Sequence, residues 1–111
     1  MIVLGREGRA GGYQLADMLF YMENHLTCSL PELAGTFNLS EGYLSRYFRK
    51  ETGKTFAQLL CEFRMRRAEK MLLHTDFSIE KIVETVGYTD KSRFYRNFKA
   101  MYCVSPVKYR K

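Results

Sequence analysis

The chain has 111 residues, which is room for one domain or for two very small ones that share a core, and this excludes most large multidomain enzymes. It is 46% hydrophobic and 27% charged, a balance that favours a folded globular protein. Eighteen Lys and Arg against twelve Asp and Glu give a net charge of +6, distributed as −3 over residues 1–45 and +9 over residues 46–111. The basic region indicates either an anionic partner or a merely solvated face.

Composition also limits the chemistry that the chain can carry. Three cysteines without a C-x-x-C motif, Cys28, Cys61 and Cys103, predict neither a disulfide framework nor a zinc site. The two histidines are isolated, so no metal and no cofactor are predicted. Free thiols, the lack of a signal peptide and the lack of an apolar run near the roughly 20 residues that cross a membrane favour a cytoplasmic protein.

The first twelve residues contain four of the eight glycines, and residues 1–12 are interpreted as a flexible lead-in or linker. A linker at this place favours a chain that forms the C-terminal part of a longer regulator over a stand-alone protein. From Tyr13 onward, apolar residues recur at helical spacing and strand-like alternation is never sustained. The sequence therefore predicts an all-α fold.

Three helices are predicted in a first lobe, residues 13–54. The first helix covers residues 14–26, with an apolar stripe of Leu15, Leu19, Met22 and Leu26. The capping box Ser29-x-x-Glu32 opens a short second helix. Ser40 caps a third helix, and Gly53 is placed to end it in the left-handed conformation.

A long helix and a second lobe follow. The capping box Thr55-x-x-Gln58 opens a connecting helix over residues 55–73, about 27 Å long at 1.5 Å per residue. The second lobe, residues 74–111, begins with a short fifth helix that ends near Gly87. Thr89 or Asp90 caps a sixth helix, and a terminal turn of helix closes the chain.

The two lobes repeat one pattern in two registers. At an offset of 49, Ser29, Leu30, Leu33, Ala34 and Phe37 correspond to Ser78, Ile79, Ile82, Val83 and Val86. At an offset of 50, Leu44, Arg46, Phe48 and Arg49 correspond to Phe94, Arg96, Phe98 and Lys99. Each copy is a short helix, a tight turn and a basic second helix, which is the pattern of a helix-turn-helix.

The second helix of each copy, about residues 41–52 and 90–101, packs one stripe inward and leaves the opposite stripe free. The free stripes hold Glu41, Ser45, Arg46 and Arg49 in the first copy, and Lys91, Ser92, Tyr95, Arg96 and Lys99 in the second. An arginine there can bind a guanine edge or a phosphate; the alternative is an ion pair with Glu41 or Asp90. Recognition helices in successive major grooves lie about 34 Å apart, a distance that the connecting helix suits.

Longer motifs carry a resemblance to a known family. The first half contains Leu33-Ala34, Ser40-x-x-x-Leu44-x-Arg46-x-Phe48-Arg49, Gly53-x-Thr55-Phe56 and Arg64-Met65-x-x-Ala68-x-x-Met71-Leu72. The second half contains Ile79-x-x-Ile82-Val83-x-x-Val86-Gly87-Tyr88-x-Asp90-x-Ser92-x-Phe94-x-Arg96-x-Phe98-Lys99 and Val104-Ser105-Pro106-x-x-Tyr109-Arg110. From Tyr13 to Arg110 the chain resembles the DNA-binding domain of the AraC/XylS family of bacterial transcription regulators.

The resemblance implies a fold of about seven helices, with two homeodomain-like helix-turn-helix subdomains joined by a long central helix. It also implies a sequence-specific regulator, most often an activator that meets RNA polymerase, whose third and sixth helices enter adjacent major grooves. By position, the base-reading candidates are Glu41, Gly42, Ser45, Arg46, Lys91, Ser92, Tyr95 and Arg96. The candidates for contact with the DNA backbone are Thr36, Arg49, Lys54, Lys99, Lys108 and Arg110.

Three positions depart from the family pattern. Val83 replaces the small alanine that is usual in the second helix-turn-helix, so slightly wider helix packing is expected there. Gly42 stands where relatives often carry a larger contacting side chain, so a side-chain contact with a base is not expected at that position. Glycine also costs the helix up to about 1 kcal/mol. Cys103 stands where a C-cap glycine is common, and a non-glycine residue in that left-handed conformation is mildly strained.

The predicted partner is double-stranded DNA, with RNA polymerase as a second partner, and the domain alone is expected to be monomeric and to act at the nucleoid. The alternative is a protein-interaction module that contacts RNA polymerase through its acidic N-terminal third, where Asp17, Glu23 and Glu32 lie, with DNA binding supplied or regulated by a separate sensor domain. An enzyme is not predicted, because paired carboxylates, a nucleophile set and a phosphate-binding loop are all missing from the sequence.

Overall fold

The computed structural model describes residues 11–110, and the side chains from residue 14 onward. These residues form seven α-helices: α1 Gly11–Asn24, α2 Leu30–Thr36, α3 Glu41–Thr52, α4 Phe56–His74, α5 Ile79–Thr85, α6 Lys91–Tyr102 and α7 Pro106–Arg110. The all-α prediction is confirmed. The predicted lead-in, residues 1–12, lies almost entirely outside the described residues. Between Leu60 and Cys61, inside α4, the chain divides into two compact units.

The predicted caps form in the first unit. Ser29 Oγ accepts from the Glu32 N–H at 3.2 Å, and Ser40 Oγ accepts from the Tyr43 N–H at 3.1 Å. Each oxygen satisfies one of the backbone donors that a helix start leaves without an intrahelical acceptor. The Glu32 carboxylate accepts from the Tyr21 hydroxyl at 2.7 Å, which fastens α2 to α1.

The first helix ends two residues before the predicted position. The Asn24 side chain donates to the Phe20 carbonyl at 2.8 Å, and the His25 ring lies 2.9 Å from the Tyr21 carbonyl. In a helix that continued past Asn24, the Tyr21 carbonyl would accept from the His25 N–H. Here the His25 ring lies against that carbonyl, and the His25 N–H donates to the Met22 carbonyl at 3.2 Å instead. The apolar stripe is also shifted, because Met18 and Met22 are fully buried while Leu15, Leu19 and Leu26 are only half-buried.

Two aromatic cores hold the basic helices in place. In the first unit, Leu33, Leu44 and Phe48 are fully buried, and in the second unit Ile82, Phe94 and Phe98 are. Phe48 packs against Phe56, with 6.4 Å between ring centroids, and Phe94 packs against Phe98 at 6.0 Å. Phe48, Phe94 and Phe98 therefore serve core packing.

Both predicted halves of the capping box at α4 are present. The Thr55 N–H donates to Gln58 Oε1 at 2.9 Å, and the Gln58 N–H donates to Thr55 Oγ1 at 3.1 Å. The helix then continues for 19 residues to His74, one residue beyond the predicted end. The short α5 ends at Thr85 instead of near Gly87, because Val86 and Gly87 already form the turn.

Polar contacts tie α7 to α4 within the second unit. The Glu69 carboxylate accepts from the hydroxyls of both Tyr102 and Tyr109. Burial, together with the charge and hydrogen bond of Glu69, raises the pKa of Tyr102 to about 12. The Arg110 guanidinium donates to the carbonyls of Leu72 and Thr75, each at 3.1 Å, so it caps the C-terminal end of α4.

The two basic helices end in the same way but with different residues. Gly53 ends α3 with φ 76° and donates to the Arg49 carbonyl at 2.9 Å, while Cys103 ends α6 with φ 69° and donates to the Lys99 carbonyl at 2.8 Å. A Cβ in this region of φ and ψ meets the following carbonyl, which costs roughly 1–2 kcal/mol. The strain predicted at Cys103 is therefore present, and the first unit avoids it with glycine.

Substituting these two positions should change stability in opposite directions. Cys103→Gly is expected to raise the free energy of unfolding by about 1 kcal/mol, or the midpoint temperature by about 4 °C, because it removes the left-handed strain. Gly53→Ala is the matched control and is expected to lower stability by a similar amount. Thermal unfolding followed by circular dichroism under reducing conditions measures both; a destabilised Cys103→Gly protein would contradict this account of α6.

Candidate nucleic-acid interface

The first basic helix, α3, is held by three buried side chains, Leu44, Tyr47 and Phe48. The turn before it is closed by a 2.8 Å hydrogen bond from the Leu39 N–H to the Ala34 carbonyl, and Asn38 within that turn has φ 58°. Facing away from the core, the exposed residues of α3 are Glu41, Gly42, Tyr43, Arg46, Arg49, Lys50 and Glu51, while Ser45 is half-buried. The free stripe expected from the sequence is thus presented to solvent.

The second basic helix, α6, is held in the same way by Phe94 and Phe98. Its preceding turn is closed by a 3.0 Å hydrogen bond from the Tyr88 N–H to the Val83 carbonyl, with Gly87 at φ 102°. The exposed residues of α6 are Lys91, Ser92, Arg93, Arg96, Lys99, Ala100 and Met101, and Tyr95 is half-buried. The turn bond lies at the offset of 49 found in the sequence, so the helix-turn-helix is repeated in its backbone hydrogen bonding.

The two arginines central to the prediction, Arg46 and Arg96, are exposed and lack ion-pair partners within residues 11–110. Asp90, an alternative partner for Arg96, instead accepts from the Ser92 N–H at 2.9 Å as the N-cap of α6. Both guanidinium groups therefore keep their donors for an external acceptor.

One base-reading candidate already has a partner. Lys91 Nζ lies 3.0 Å from Glu80 Oε2, and the pair joins α5 to the first turn of α6. A backbone N–H and the Lys91 ammonium hold the pKa of Glu80 below its usual range, and the same contact raises the pKa of Lys91. Both side chains are exposed, so the pair is weak and a phosphate can compete with the carboxylate for the ammonium.

The candidates for backbone contact fall into two groups. Arg49, Lys54, Lys99 and Lys108 have exposed side chains near helix ends. Thr36 donates its hydroxyl proton to the Glu32 carbonyl at 2.9 Å, and Arg110 donates to the end of α4. The donors of Thr36 and Arg110 are thus engaged inside the protein, and these two residues have structural roles that the sequence did not indicate.

The sequence also did not identify the contacts that orient α6. The Tyr88 hydroxyl accepts from Asn97 Nδ2 at 2.9 Å and donates to Cys61 Sγ at 3.6 Å. The Arg64 guanidinium lies 5.0 Å from the centroid of the same ring, a cation–π distance. Burial raises the pKa of Tyr88. The motif that contains Gly87 and Tyr88 indicated that the tyrosine is part of the family pattern. The spacing of residues in the sequence did not predict which residues contact it.

Other kinds of site are not indicated in residues 11–110. No group of three or more His, Cys, Asp or Glu side chains in this range could hold a metal ion. Every helix in the same range is too short or too polar to cross a membrane. The surface that remains to be explained is the basic face of the two repeated helices.

Comparison with known proteins identifies the class. A family model described as a helix-turn-helix domain matches residues 33–111. The Msm operon regulatory protein of Streptococcus mutans is 35% identical over 80 residues, which cover 72% of this chain and 29% of that protein. Regulatory protein PocR of Salmonella typhimurium is 34% identical over 99 residues, 87% of this chain and 33% of that protein. The chain therefore spans about a third of the length of these relatives.

Solved structures agree with the sequence relatives. The C-terminal domain of AraT, a response regulator from Geobacillus stearothermophilus, superposes with a TM-score of 0.80 at 35% identity, covering 86% of this chain and 82% of that one. The DNA-binding domain of AdpA, solved with a target DNA, gives 0.79 at 26% identity, with 86% and 88% covered. The chain belongs to the AraC/XylS family of transcription regulators, as the resemblance implied, and it is a DNA-binding domain. The family and these relatives are regulators, not enzymes.

Removing the carboxylate that pairs with Lys91 should tighten DNA binding. Glu80→Gln frees the ammonium at the start of α6, and the expected gain is about two- to fivefold, the range of an exposed ion pair. Glu84→Gln on the same helix makes the same charge change without touching Lys91 and is the control. Fluorescence anisotropy with a random-sequence duplex at fixed salt measures both; equal gains for the two variants would show that Glu80 acts only through net charge.

Proposed function

We propose that the chain recognises specific duplex DNA sequences by placing α3 and α6 in successive major grooves, and that it thereby regulates promoters, as an activator. The observation that carries the proposal is the repeated unit: two helix-turn-helix turns are closed by equivalent hydrogen bonds, and each is followed by a helix with an exposed arginine that forms no ion pair with the described residues. One basic amphipathic helix is a common feature of solvated surfaces. Two copies with the same turn are what a bipartite DNA site requires.

The roles of the base-reading residues follow from their donors and acceptors. Arg46 and Arg96 are assigned to guanine, whose O6 and N7 match the two parallel donors of a guanidinium group. Glu41, at the start of α3, is assigned to the N4 amino group of cytosine. Ser45, Ser92 and Tyr95 contribute single hydrogen bonds, while Lys91 is shared between DNA and Glu80.

The phosphate contacts are assigned to basic side chains that are exposed to solvent. Arg49 and Lys99 occupy equivalent places in the last turns of α3 and α6, while Lys54 lies between α3 and α4 and Lys108 lies in the short α7. Thr36 and Arg110 are left out of the proposed set, because their donors are bound to backbone carbonyls of the protein. Contacts with the DNA phosphates supply affinity and register, and contacts with the bases supply sequence discrimination.

Activation is proposed from relatives that share the domain. One relative, 31% identical over 88 residues, is the lactose operon transcription activator of Staphylococcus xylosus. An activator contacts RNA polymerase as well as DNA, so we propose the polymerase as a second partner and the cytoplasm, at the chromosome, as the place of action. The isolated chain is proposed to bind its site as a monomer, since it carries both helix-turn-helix units itself.

One surface feature favours a second candidate function, in which protein contact is the main activity. On α1, Phe20 is 68% exposed, and Asp17, Glu23 and Asn24 are exposed on the same face of the helix. An exposed aromatic ring between two acidic residues suits a basic protein surface with an apolar socket. Duplex binding measured without polymerase separates the two candidates, because a module that binds only polymerase leaves the DNA unbound.

The salt dependence of binding tests the proposed mode directly. If six to eight phosphates are contacted, the logarithm of the binding constant should fall with the logarithm of the salt concentration at a slope of about −5 to −7. Titrations of a selected duplex between roughly 0.05 and 0.3 M salt give this slope. A flat dependence, or selected sites without two half-sites about one helical turn apart, is incompatible with two helices reading DNA together.

Two substitutions on α6 should separate base contact from phosphate contact. Arg96→Ala is expected to weaken binding to the selected site by about 1–3 kcal/mol and to leave binding to random DNA nearly intact. Lys99→Ala, three residues further along the same exposed face, is expected to weaken both duplexes equally and to reduce the salt slope by about 1. Equal losses on both duplexes for Arg96→Ala would assign Arg96 to phosphate instead.

A further inference from the structure

Gly42, the second residue of α3, is a glycine that neither the backbone nor the core requires. The described glycines with positive φ are Gly53 and Gly87, so the conformation at Gly42 is one that any residue adopts. The position is exposed. Glycine in a helix is unfavourable relative to alanine, and at this place no local structural gain offsets that cost.

The one feature that fills the space beside Gly42 is the end of Arg46. Apart from its own helix backbone and chain neighbours, the sole described atom within 4 Å of a Cβ built at Gly42 is Arg46 Nη1, at 3.4 Å. Helical side chains point toward the N-terminus of their helix, so a residue one turn further on covers this position. The Arg46 guanidinium therefore lies across the gap that the missing side chain leaves.

Gly42 lies at the N-terminal end of α3, which is the end of a recognition helix that reaches base edges. In helix-turn-helix proteins the N-terminal residues of the recognition helix reach the bases. The backbone of Arg46 lies about one turn from the N-terminal end of α3. Because its side chain lies across Gly42, the guanidinium group extends back toward that end. The guanidinium has no ion pair among the described residues that would hold it elsewhere.

We propose that Gly42 is a specificity-determining residue through its lack of a side chain: it lets Arg46 read, as a guanine, the base pair that a larger residue at position 42 would otherwise contact. This inference rests on the proposed function and adds to it the base that α3 selects. Guanine is selected because its O6 and N7 atoms accept two parallel hydrogen bonds from a guanidinium group.

The second lobe contains the same arrangement of small residue and arginine. At the offset of 50, Gly42 corresponds to Ser92 and Arg46 corresponds to Arg96. Both lobes thus place a small residue four positions before the arginine, one helical turn toward the base-reading end. The pair at Gly42 and Arg46 is the more extreme form, because it leaves no Cβ beneath the guanidinium.

The proposal predicts that the size of the side chain at position 42 decides where the Arg46 guanidinium group can lie. A Cβ at position 42 would lie 3.4 Å from Arg46 Nη1, in van der Waals contact, so a side chain must extend beyond its Cβ to enter the volume of the guanidinium group. The branched Cδ atoms of Gly42→Leu extend into the volume of the guanidinium and displace it. Leucine is also a strong helix former, which favours a folded variant.

The experiment selects binding sites from random duplex DNA with the full 111-residue chain and then measures base preference at each position for every variant. Gly42→Leu is expected to reduce preference for guanine at one position of the first half-site by about tenfold or more, the discrimination that a bidentate arginine provides. Arg46→Ala and Arg46→Lys should lose the same preference, since lysine lacks the fork. In either Arg46 background, Gly42→Leu should add nothing.

The control is Gly35→Leu, at an exposed helical glycine of the same unit with nothing within 4 Å of its Cβ. It should keep the guanine preference, and circular dichroism checks that all variants are folded. Losses from Gly42→Leu and Arg46→Ala that multiply, or that fall at different base pairs, overturn the inference and leave the proposed function standing. A wild-type chain that selects no duplex sequence overturns the proposed function, and this inference with it.

Discussion

The orientation of both basic helices depends on the turn that precedes each one. These turns set α3 against α2 and α6 against α5. The hydrogen bond from the Leu39 N–H to the Ala34 carbonyl, and its copy from Tyr88 to Val83, close these turns. Each turn satisfies backbone groups that the end of the preceding helix leaves open. Because the apolar residues of α3 and α6 then have one buried direction to face, the charged residues of both helices must face the other way.

The two units stabilise this shared arrangement by different means. In the first, Gly53 ends α3 without strain and the Tyr21 hydroxyl fastens α2 to α1 through Glu32. In the second, Cys103 occupies the strained left-handed position, and the unit has additional polar tethers around α4 and α7. Glu69 binds two tyrosine hydroxyls, and Arg110 caps α4, so the end of α6 is held by contacts from outside its own helix-turn-helix.

Sequence reasoning was most successful where structure is decided locally. Ser29, Ser40 and Thr55 cap helices as predicted, because a capping oxygen bonds to a backbone donor only two or three residues away. It gave no information where a long side chain binds partners that are distant in sequence. Arg110, a candidate for contact with the DNA backbone because it lies at a helix end, donates to carbonyls 35 and 38 residues away. Spacing alone gives no information about such contacts.

The two basic helices differ in charge, and this difference suggests different contributions to the proposed DNA binding. From Lys91 to Tyr102, α6 carries four basic residues and no acidic one, whereas α3, from Glu41 to Thr52, carries three basic and two acidic residues. Attraction to phosphate grows with the number of cations and acts on any sequence, so in the proposed complex we expect α6 to supply the larger part of the affinity and of its salt dependence. An acidic residue at the start of α3 opposes non-specific binding, and it is tolerated only where a base offers a donor. In the proposed complex, discrimination by α3 is therefore expected to depend on few contacts, and the position of Arg46 over Gly42 is expected to matter more than any single contact of α6.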